Sequence, residues 1–240
     1  MSNTVDKKAF EWLNGNQLSY DIWNKKYRFN NESFDEWLDR VSAKNEKIRQ
    51  LILDKKFLFG GRTLSNRGTG LASLNNCYSS GYVEDTLEDI MQVNKNIALT
   101  YKAEGGQGLS LSKIRPKGAL IRGRFESEGI IPFMDMFNKT TESIMQGSSR
   151  RGALMMSLDI WHKEAESFIK IKSDLNKINK ANLSLEIDNL FMHSIKGYYN
   201  GDVKEDHIVT ISKKFENGGI VEYDVQPIKL YKTLCEHACK

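Results

Sequence analysis

Four short segments of this sequence carry groups that can bind an anion or take part in redox chemistry. They are residues 60–68, 75–78, 104–108 and 146–153, which read GGRTLSNRG, NNCY, EGGQG and QGSSRRGA. Glycine lets the backbone approach a ligand closely, and hydroxyl and guanidinium groups hold phosphate oxygens. Each segment alone is equally compatible with a tight turn or a solvated loop.

Cys77 lies between polar residues, which leaves two interpretations open. A free cysteine can pack as a small apolar side chain. It can instead react, but reactivity needs an activating charge or a second thiol nearby, and the sequence shows neither.

Two further patterns are weaker. Cys235, His237 and Cys239 are close in sequence, but on a helix the two cysteines share a face and the histidine points away, so we predict no metal site. The segment 104–108 follows a predicted helix and precedes a predicted strand. A dinucleotide-binding glycine motif has the opposite order, so a nicotinamide cofactor is not predicted.

The first 60 residues or so are predicted to be helical. Ser33 and Glu36 form a capping-box pattern before an apolar helical face. From about residue 75 the pattern changes to strands alternating with helices, which predicts an α/β sheet or barrel. The strands are predicted at 109–114, 153–160, 183–187 and 207–211.

The predicted helices of this second part also have recognisable starts. Asp85 and Glu88 form a second capping-box pattern, and Pro132 suits the first turn of a helix. The faces expected to point inward comprise Leu87, Ile90, Met91, Ile97, Ala98 and Tyr101 in the first of these helices, and Phe133, Met136, Phe137, Thr140 and Ile144 in the second.

Bulk composition excludes several classes of protein. The net charge of +4 comes from 35 basic and 31 acidic residues, a balance too even to predict direct nucleic acid binding. No apolar run approaches the roughly 20 residues of a membrane span, and the polar N-terminal residues do not form a signal peptide. We therefore expect a cytoplasmic protein whose three cysteines form no disulfide framework.

Taken in order, these segments resemble the large, catalytic subunit of ribonucleotide reductase. The resemblance runs from about residue 10 to 240, and its most specific parts are residues 59–68, 76–78, 105–108, 146–153 and 171–184. It implies an α/β fold, with an N-terminal helical domain over 1–74. Residues 75–240 would form the first, incomplete part of a ten-stranded α/β barrel.

The resemblance also implies substrate-binding and catalytic roles. Cys77 matches one of two thiols that reduce the ribose and end as a disulfide. Thr63, Asn76 and Gly106 match residues that hold the phosphates and ribose of a ribonucleotide substrate. Arg150 is expected to contact the substrate or to stabilise its own loop.

A second site is implied for an allosteric effector. Asp85, Thr86 and Leu87 match the specificity site, where a deoxynucleoside triphosphate or ATP binds at the interface of a homodimer. Arg115 and Arg122 match contacts to the effector's phosphates, although alone they would pass as surface charges. The segment 146–153 matches the loop that relays effector identity to the substrate base, which requires two distinguishable loop states.

Several parts of the family's machinery are not found in the sequence. The radical-bearing cysteine in an Asn-x-Cys-x-Glu context, the second reducing thiol, a C-terminal cysteine pair and an N-terminal ATP cone have no match. We therefore expect a ribonucleoside-diphosphate reductase fragment that is inactive alone. Alternatives are a deoxynucleotide-binding dimerisation module, one half of a split enzyme, or a non-functional remnant.

The expected partners follow from the same resemblance. A thioredoxin- or glutaredoxin-like reductant would regenerate the thiols. The radical would come from a metal-containing small subunit or from adenosylcobalamin, and the sequence does not distinguish these two sources. No cofactor site is evident in the chain itself.

Overall fold

The computed structural model describes residues 5–70, 73–144, 152–174, 176–215 and 219–238. The chain forms two compact units, Met1–Asn76 and Cys77–Lys240. Among the described residues, no helix is both long enough and apolar enough to cross a lipid bilayer.

The first unit is helical. Its helices are α1 (Lys7–Trp12), α2 (Gln17–Ile22), α3 (Phe34–Ser42), α4 (Glu46–Leu53) and α5 (Gly61–Asn66), with a π-helical turn at Trp23–Tyr27. The capping box that begins α3 is confirmed, because Ser33 Oγ accepts from the Glu36 N–H and Glu36 Oε2 accepts from the Ser33 N–H. Behind it, the rings of Trp23, Phe34 and Trp37 pack together in the core.

The interpretation of residues 60–68 as a loop was wrong, because most of this segment forms helix α5. Gly60 is its N-cap, and burial of Arg62 and Leu64 stabilises the helix against the rest of the unit. The Arg40 side chain donates to two carbonyl oxygens at the C-terminal end of α5, Leu64 O at 3.2 Å and Arg67 O at 2.6 Å. Tertiary burial outweighs the low helix propensity of glycine here.

The second unit alternates strands and helices. Its elements are β1 (Cys77–Tyr82), α6 (Leu87–Lys102), β2 (Gly106–Ser110), β3 (Leu120–Ile121), β4 (Phe125–Glu126), α7 (Ile131–Ser143), β5 (Leu154–Asp159), α8 (Ala165–Lys170), β6 (Ala181–Glu186), α9 (Asn189–Asn200), β7 (Val209–Phe215), β8 (Gly219–Val225) and α10 (Pro227–Ala238).

Strands β1, β2, β5 and β6 form a parallel sheet in the order β1-β2-β5-β6. Parallel strands need crossover connections, and helices α6, α7 and α8 lie in those connections along the chain. The core packs the sheet's Leu109, Leu154 and Met156 with helical side chains such as Ile97 and Phe137. The predicted α/β class is confirmed.

Some predicted boundaries and faces were wrong. The strand expected at 109–114 begins earlier, at Gly106, because the glycine segment itself pairs with both neighbouring strands. The predicted strand at 207–211 is one arm of the antiparallel hairpin β7–β8, whose second strand the sequence analysis missed. On α6, Leu87 and Met91 are exposed although both were expected inside.

Helix α7 does begin with proline in its first turn, as predicted, but its buried face is rotated by one residue from the predicted one. Met134 and Thr141 are buried in place of Phe133 and Thr140, while Phe137 is buried as expected. The apolar stripe of an amphipathic helix is wide, so apolar spacing alone does not determine which edge of the stripe faces the core.

Candidate functional site

Cys77 begins strand β1 and lies opposite Gly106 of strand β2 in the parallel register. Its side chain is exposed. The neighbouring Gly105 has no room for a side chain, since a Cβ there would lie 2.7 Å from Tyr78 Cε2 and 2.8 Å from Thr100 Cγ2. Gly105 and Gly106 are both buried, and the exposed Cys77 begins the strand that pairs with Gly106.

The strand that carries Gly106 is fixed from both sides. Gln107 is buried and its Nε2 donates to Ser80 Oγ on β1, while its backbone N–H donates to Ala153 O at 2.8 Å. This bonding holds the register that places Cys77 beside Gly106.

Thr63 and Asn76 both belong to the first unit. Thr63 lies half-buried in α5, and Asn76 is exposed at the end of the unit. Asn76 Oδ1 accepts from Nε of the buried Arg62 at 3.4 Å. Their roles as substrate contacts stay predictions.

Arg150 lies in 145–151, outside the described residues. The described chain resumes at Gly152, where a Cβ would lie 2.9 Å from Thr141 Cγ2 and 3.1 Å from Tyr101 Cε2. Gly152, just before β5, is therefore in close contact with helices α6 and α7.

Asp85 and Arg115 form a buried ion pair. Asp85 Oδ2 accepts from Arg115 Nε at 2.8 Å, Asp85 Oδ1 accepts from the Arg115 backbone N–H at 3.1 Å, and both side chains are less than a tenth exposed. The structure thus brings Arg115 to the segment that contains Asp85, Thr86 and Leu87, although Asp85 and Arg115 are 30 residues apart in sequence. It ties the start of α6 to the chain that follows β2.

The prediction that Asp85 caps helix α6 was wrong. The N-cap is Thr86, whose Oγ1 accepts from the Asp89 N–H at 3.2 Å, and Asp89 Oδ2 in turn accepts from the Glu84 N–H at 2.8 Å. Leu87, the third predicted residue in this stretch, has 63% of its surface exposed. Thr86 and Leu87 therefore stand at an accessible helix N-terminus beside the ion pair.

Arg122 lies at the tip of the short hairpin β3–β4 and is exposed. Arg122 and Gly123 both have positive φ, 51° and 69°, and the Arg124 N–H donates to Ile121 O at 3.1 Å. Positive φ at both central positions is the pattern of a type I′ hairpin turn. The hairpin therefore projects a guanidinium group into solvent.

Sequence reasoning missed His162 and Glu164, which follow strand β5 and are buried. Glu164 Oε2 accepts two backbone N–H groups, from Lys117 and Ile130, both at 3.1 Å. Burial raises the pKa of the Glu164 carboxyl, while these two bonds and the charges of Lys117 and Lys163 act in the opposite direction.

A second polar cluster was also missed, at the carboxyl ends of the parallel strands. Glu186 Oε1 accepts from Ser110 Oγ and from Ser157 Oγ at 2.6 and 2.7 Å. Nearby, Lys213 of strand β7 donates to Ser112 O at 2.9 Å. These bonds join β2, β5, β6 and the hairpin β7–β8, and the Ser-x-Ser pattern at 110–112 was the available sequence signal.

Known proteins resemble this chain over a large part of its length. The vitamin B12-dependent ribonucleoside-diphosphate reductase of Thermoplasma acidophilum is 32% identical over 172 residues, which are 68% of this chain and 22% of that protein. The large chain of the Neurospora crassa reductase is 30% identical over 220 residues, 83% of this chain and 23% of that protein. The large subunit from monkeypox virus is 34% identical over 152 residues, with shares of 61% and 20%.

A solved structure shares the fold. The alpha subunit of the Actinobacillus ureae class Id ribonucleotide reductase superposes with a TM-score of 0.68 at 20% identity, covering 79% of this chain and 36% of that one.

The chain spans about a fifth of the length of the curated relatives it matches. Residues 76–215, more than half of the chain, match the family model described as the ribonucleotide reductase barrel domain. The family-model match and the shared fold agree, and the chain belongs to the ribonucleotide reductase family, of whose barrel it forms a part.

Proposed function

We propose that this chain supplies one reducing thiol and the effector-binding elements of a ribonucleoside-diphosphate reductase. The observation that carries the proposal is the exposed Cys77 thiol lying opposite Gly106 on the adjacent parallel strand. A thiol that must reach a ribose needs access, which the exposed Cys77 has, and its register partner Gly106 adds no side chain.

In the proposed reaction, Cys77 and a second thiol together deliver two electrons and two protons. The ribonucleotide loses a hydroxyl group as water and becomes a deoxyribonucleotide, and the two sulfurs end as a disulfide. A thioredoxin- or glutaredoxin-like protein then reduces that disulfide. Cytoplasmic location, a reducing environment, suits this cycle.

Substrate binding in this proposal uses backbone and small polar groups. The backbone at Gly106, the Thr63 hydroxyl and the Asn76 side chain hold phosphate and ribose oxygens, and Arg150 contacts the substrate or its own loop. Hydrogen bonds from such donors to charged phosphate oxygens are stronger than neutral ones.

The effector in this proposal is a deoxynucleoside triphosphate or ATP bound near the start of α6. Asp85, Thr86 and Leu87 line its sugar side, while Arg115 and Arg122 lie on its phosphate side. The exposed Arg122 can reach a phosphate directly. The buried Arg115 has its Nε bonded to Asp85, so much of its contribution is to fix the position of Asp85.

Helix α6 also supports the proposed homodimer. Leu87 and Met91, four residues apart, are both exposed and lie on one helical face. An apolar pair next to the effector residues suits an interface with a second copy of the chain.

The radical source in the proposal is a separate component. The Thermoplasma relative is named as vitamin B12-dependent, which supports adenosylcobalamin as one of the two proposed sources. A metal-containing partner subunit is the other source implied by the family resemblance.

Alkylation of Cys77 tests the substrate site. The chain would be treated with iodoacetamide with and without each of ADP, CDP, GDP and UDP, and modification at each cysteine followed by peptide mass spectrometry. We expect at least one nucleotide to slow modification of Cys77. Cys235, which is also exposed, is the control in the same sample and should react at an unchanged rate.

Equal modification of Cys77 with and without every nucleotide would contradict the proposed substrate site. If deoxynucleoside triphosphates still bound in that case, the chain would act as the non-catalytic effector-binding module instead.

A further inference from the structure

Residues 117–130 form an arm whose two ends are held by a single carboxylate. At one end the Lys117 N–H donates to Glu164 Oε2 at 3.1 Å, and at the other end the Ile130 N–H donates to the same oxygen at the same distance. Glu164 itself comes from the segment after β5, more than 30 residues away in sequence, so the contact is tertiary.

The arm has little internal stabilisation. Its strands β3 and β4 are two residues each, and the Gly118 and Ser127 N–H groups add bonds to Ser127 O and Ala119 O at 2.8 and 2.9 Å. Most of its outer residues are exposed, with Phe125 at 69%. An isolated two-stranded hairpin is marginally stable in water, so the direction in which Arg122 points depends on the base of the arm.

His162 fixes the position of Glu164. The Glu164 backbone N–H donates to His162 Nδ1 at 3.2 Å, which places the ring proton on Nε2, and Nε2 donates to Ile114 O at 2.9 Å. Ile114 directly precedes Arg115 of the buried ion pair. His162 and Glu164 thus hold both the arm and the chain that carries Arg115.

Gly129 shows that the carboxylate occupies a prepared position. Its φ is +77°, which favours glycine, and a Cβ at this position would overlap both carboxylate oxygens of Glu164. Any other residue at 129 would push Glu164 away from the base of the arm.

We propose that Glu164, oriented by His162, is a positioning residue for effector binding, which fixes the arm 117–130 so that Arg122 meets the effector's phosphates. The inference rests on the proposed effector site and adds to it. Glu164 does not touch the effector; it acts through the arm.

The test measures the dissociation constants of dTTP, dGTP, dATP and ATP for the chain by isothermal titration calorimetry. Glu164→Ala should weaken effector binding by about tenfold, within the usual range of coupling between sites. Glu164→Gln should restore most of the affinity, because one amide oxygen can still accept both backbone N–H groups. Arg122→Ala should also weaken binding.

Asn138→Ala is the matched control. Asn138 is buried in α7 and its Oδ1 accepts from the Lys180 N–H at 2.9 Å, so the variant also removes a buried acceptor of a backbone N–H group. It should lower stability and leave effector affinity unchanged. Hydrogen exchange at the Gly118 and Ser127 amides should accelerate in Glu164→Ala and not in Asn138→Ala.

Unchanged effector affinity in Glu164→Ala, together with weaker binding in Arg122→Ala, would overturn the inference and leave the effector site standing. Absence of nucleotide binding by the unmodified chain would overturn both. If the alanine variant does not fold, Glu164→Asp, whose side chain is shorter by one methylene, is measured in its place. Its affinity should also fall, and equal affinity would overturn the inference.

Discussion

The buried ion pair between Asp85 and Arg115 gives the clearest prediction of stability. Both side chains are under a tenth exposed, and Asp85 accepts from the Arg115 side chain at 2.8 Å and from its backbone at 3.1 Å. Removing one partner leaves the other as an uncompensated buried charge. We expect Asp85→Ala or Arg115→Ala to lower the free energy of unfolding by about 3–5 kcal/mol.

The double variant separates this loss into its parts. With both charges gone, no buried charge remains unpaired, so the double variant should lose clearly less than the sum of the two single variants. The matched control is a second ion pair, between Glu84 and Lys113, whose side chains are 46% and 47% exposed. Glu84→Ala should therefore cost only about 0–1 kcal/mol.

Urea unfolding followed by tryptophan fluorescence and circular dichroism is the assay. Trp161 belongs to the same unit as the pair, while Trp12, Trp23 and Trp37 belong to the helical unit. The transition that involves Trp161 should shift. A loss for Asp85→Ala no larger than for Glu84→Ala would refute the reasoning, as would strictly additive losses in the double variant.

Two further predictions concern pH and packing. Burial lowers the pKa of His162 from 6.5 to about 4, so neutral His162 contributes fully to the free energy of unfolding above pH 6.5. That contribution is lost as the pH falls towards 4, and the loss should reach about 3 kcal/mol in unfolding experiments. The loss should be absent in His162→Gln. Glu164 has a raised pKa and acts in the opposite direction, but it is present in both proteins. Gly105→Ala should lower the free energy of unfolding by about 1–3 kcal/mol, because the added Cβ would clash with Tyr78 and Thr100. An unchanged midpoint in urea unfolding would contradict this prediction.

Local signals in the sequence predicted much of the fold. The capping box at Ser33, the proline at the start of α7 and the alternation of strands with helices are determined by neighbouring residues, and all three are confirmed. By contrast, the capping-box pattern predicted Asp85 as the cap of α6, but the N-cap is Thr86. Arg115, 30 residues along the chain, engages Asp85 and leaves the capping position to Thr86.

Only part of the candidate site was predicted, because some of its contacts join residues that are far apart in sequence. Family resemblance supplied Cys77 and Gly106, and the structure places them opposite each other on adjacent strands. Glu164 was missed because its function depends on Lys117 and Ile130, which no local pattern connects to it. Its position just after a parallel strand was the available signal, since polar residues there often lie at binding sites.

Turnover by a ribonucleotide reductase holoenzyme that contains this chain tests the central claim most directly. With a thioredoxin-like reductant, Cys77→Ser should form no deoxyribonucleotide above background, because one of the two thiols that supply electrons is gone. Cys235→Ser is the matched control and should retain activity. Near-normal turnover by the Cys77→Ser enzyme would contradict the assignment of Cys77 as a reducing thiol.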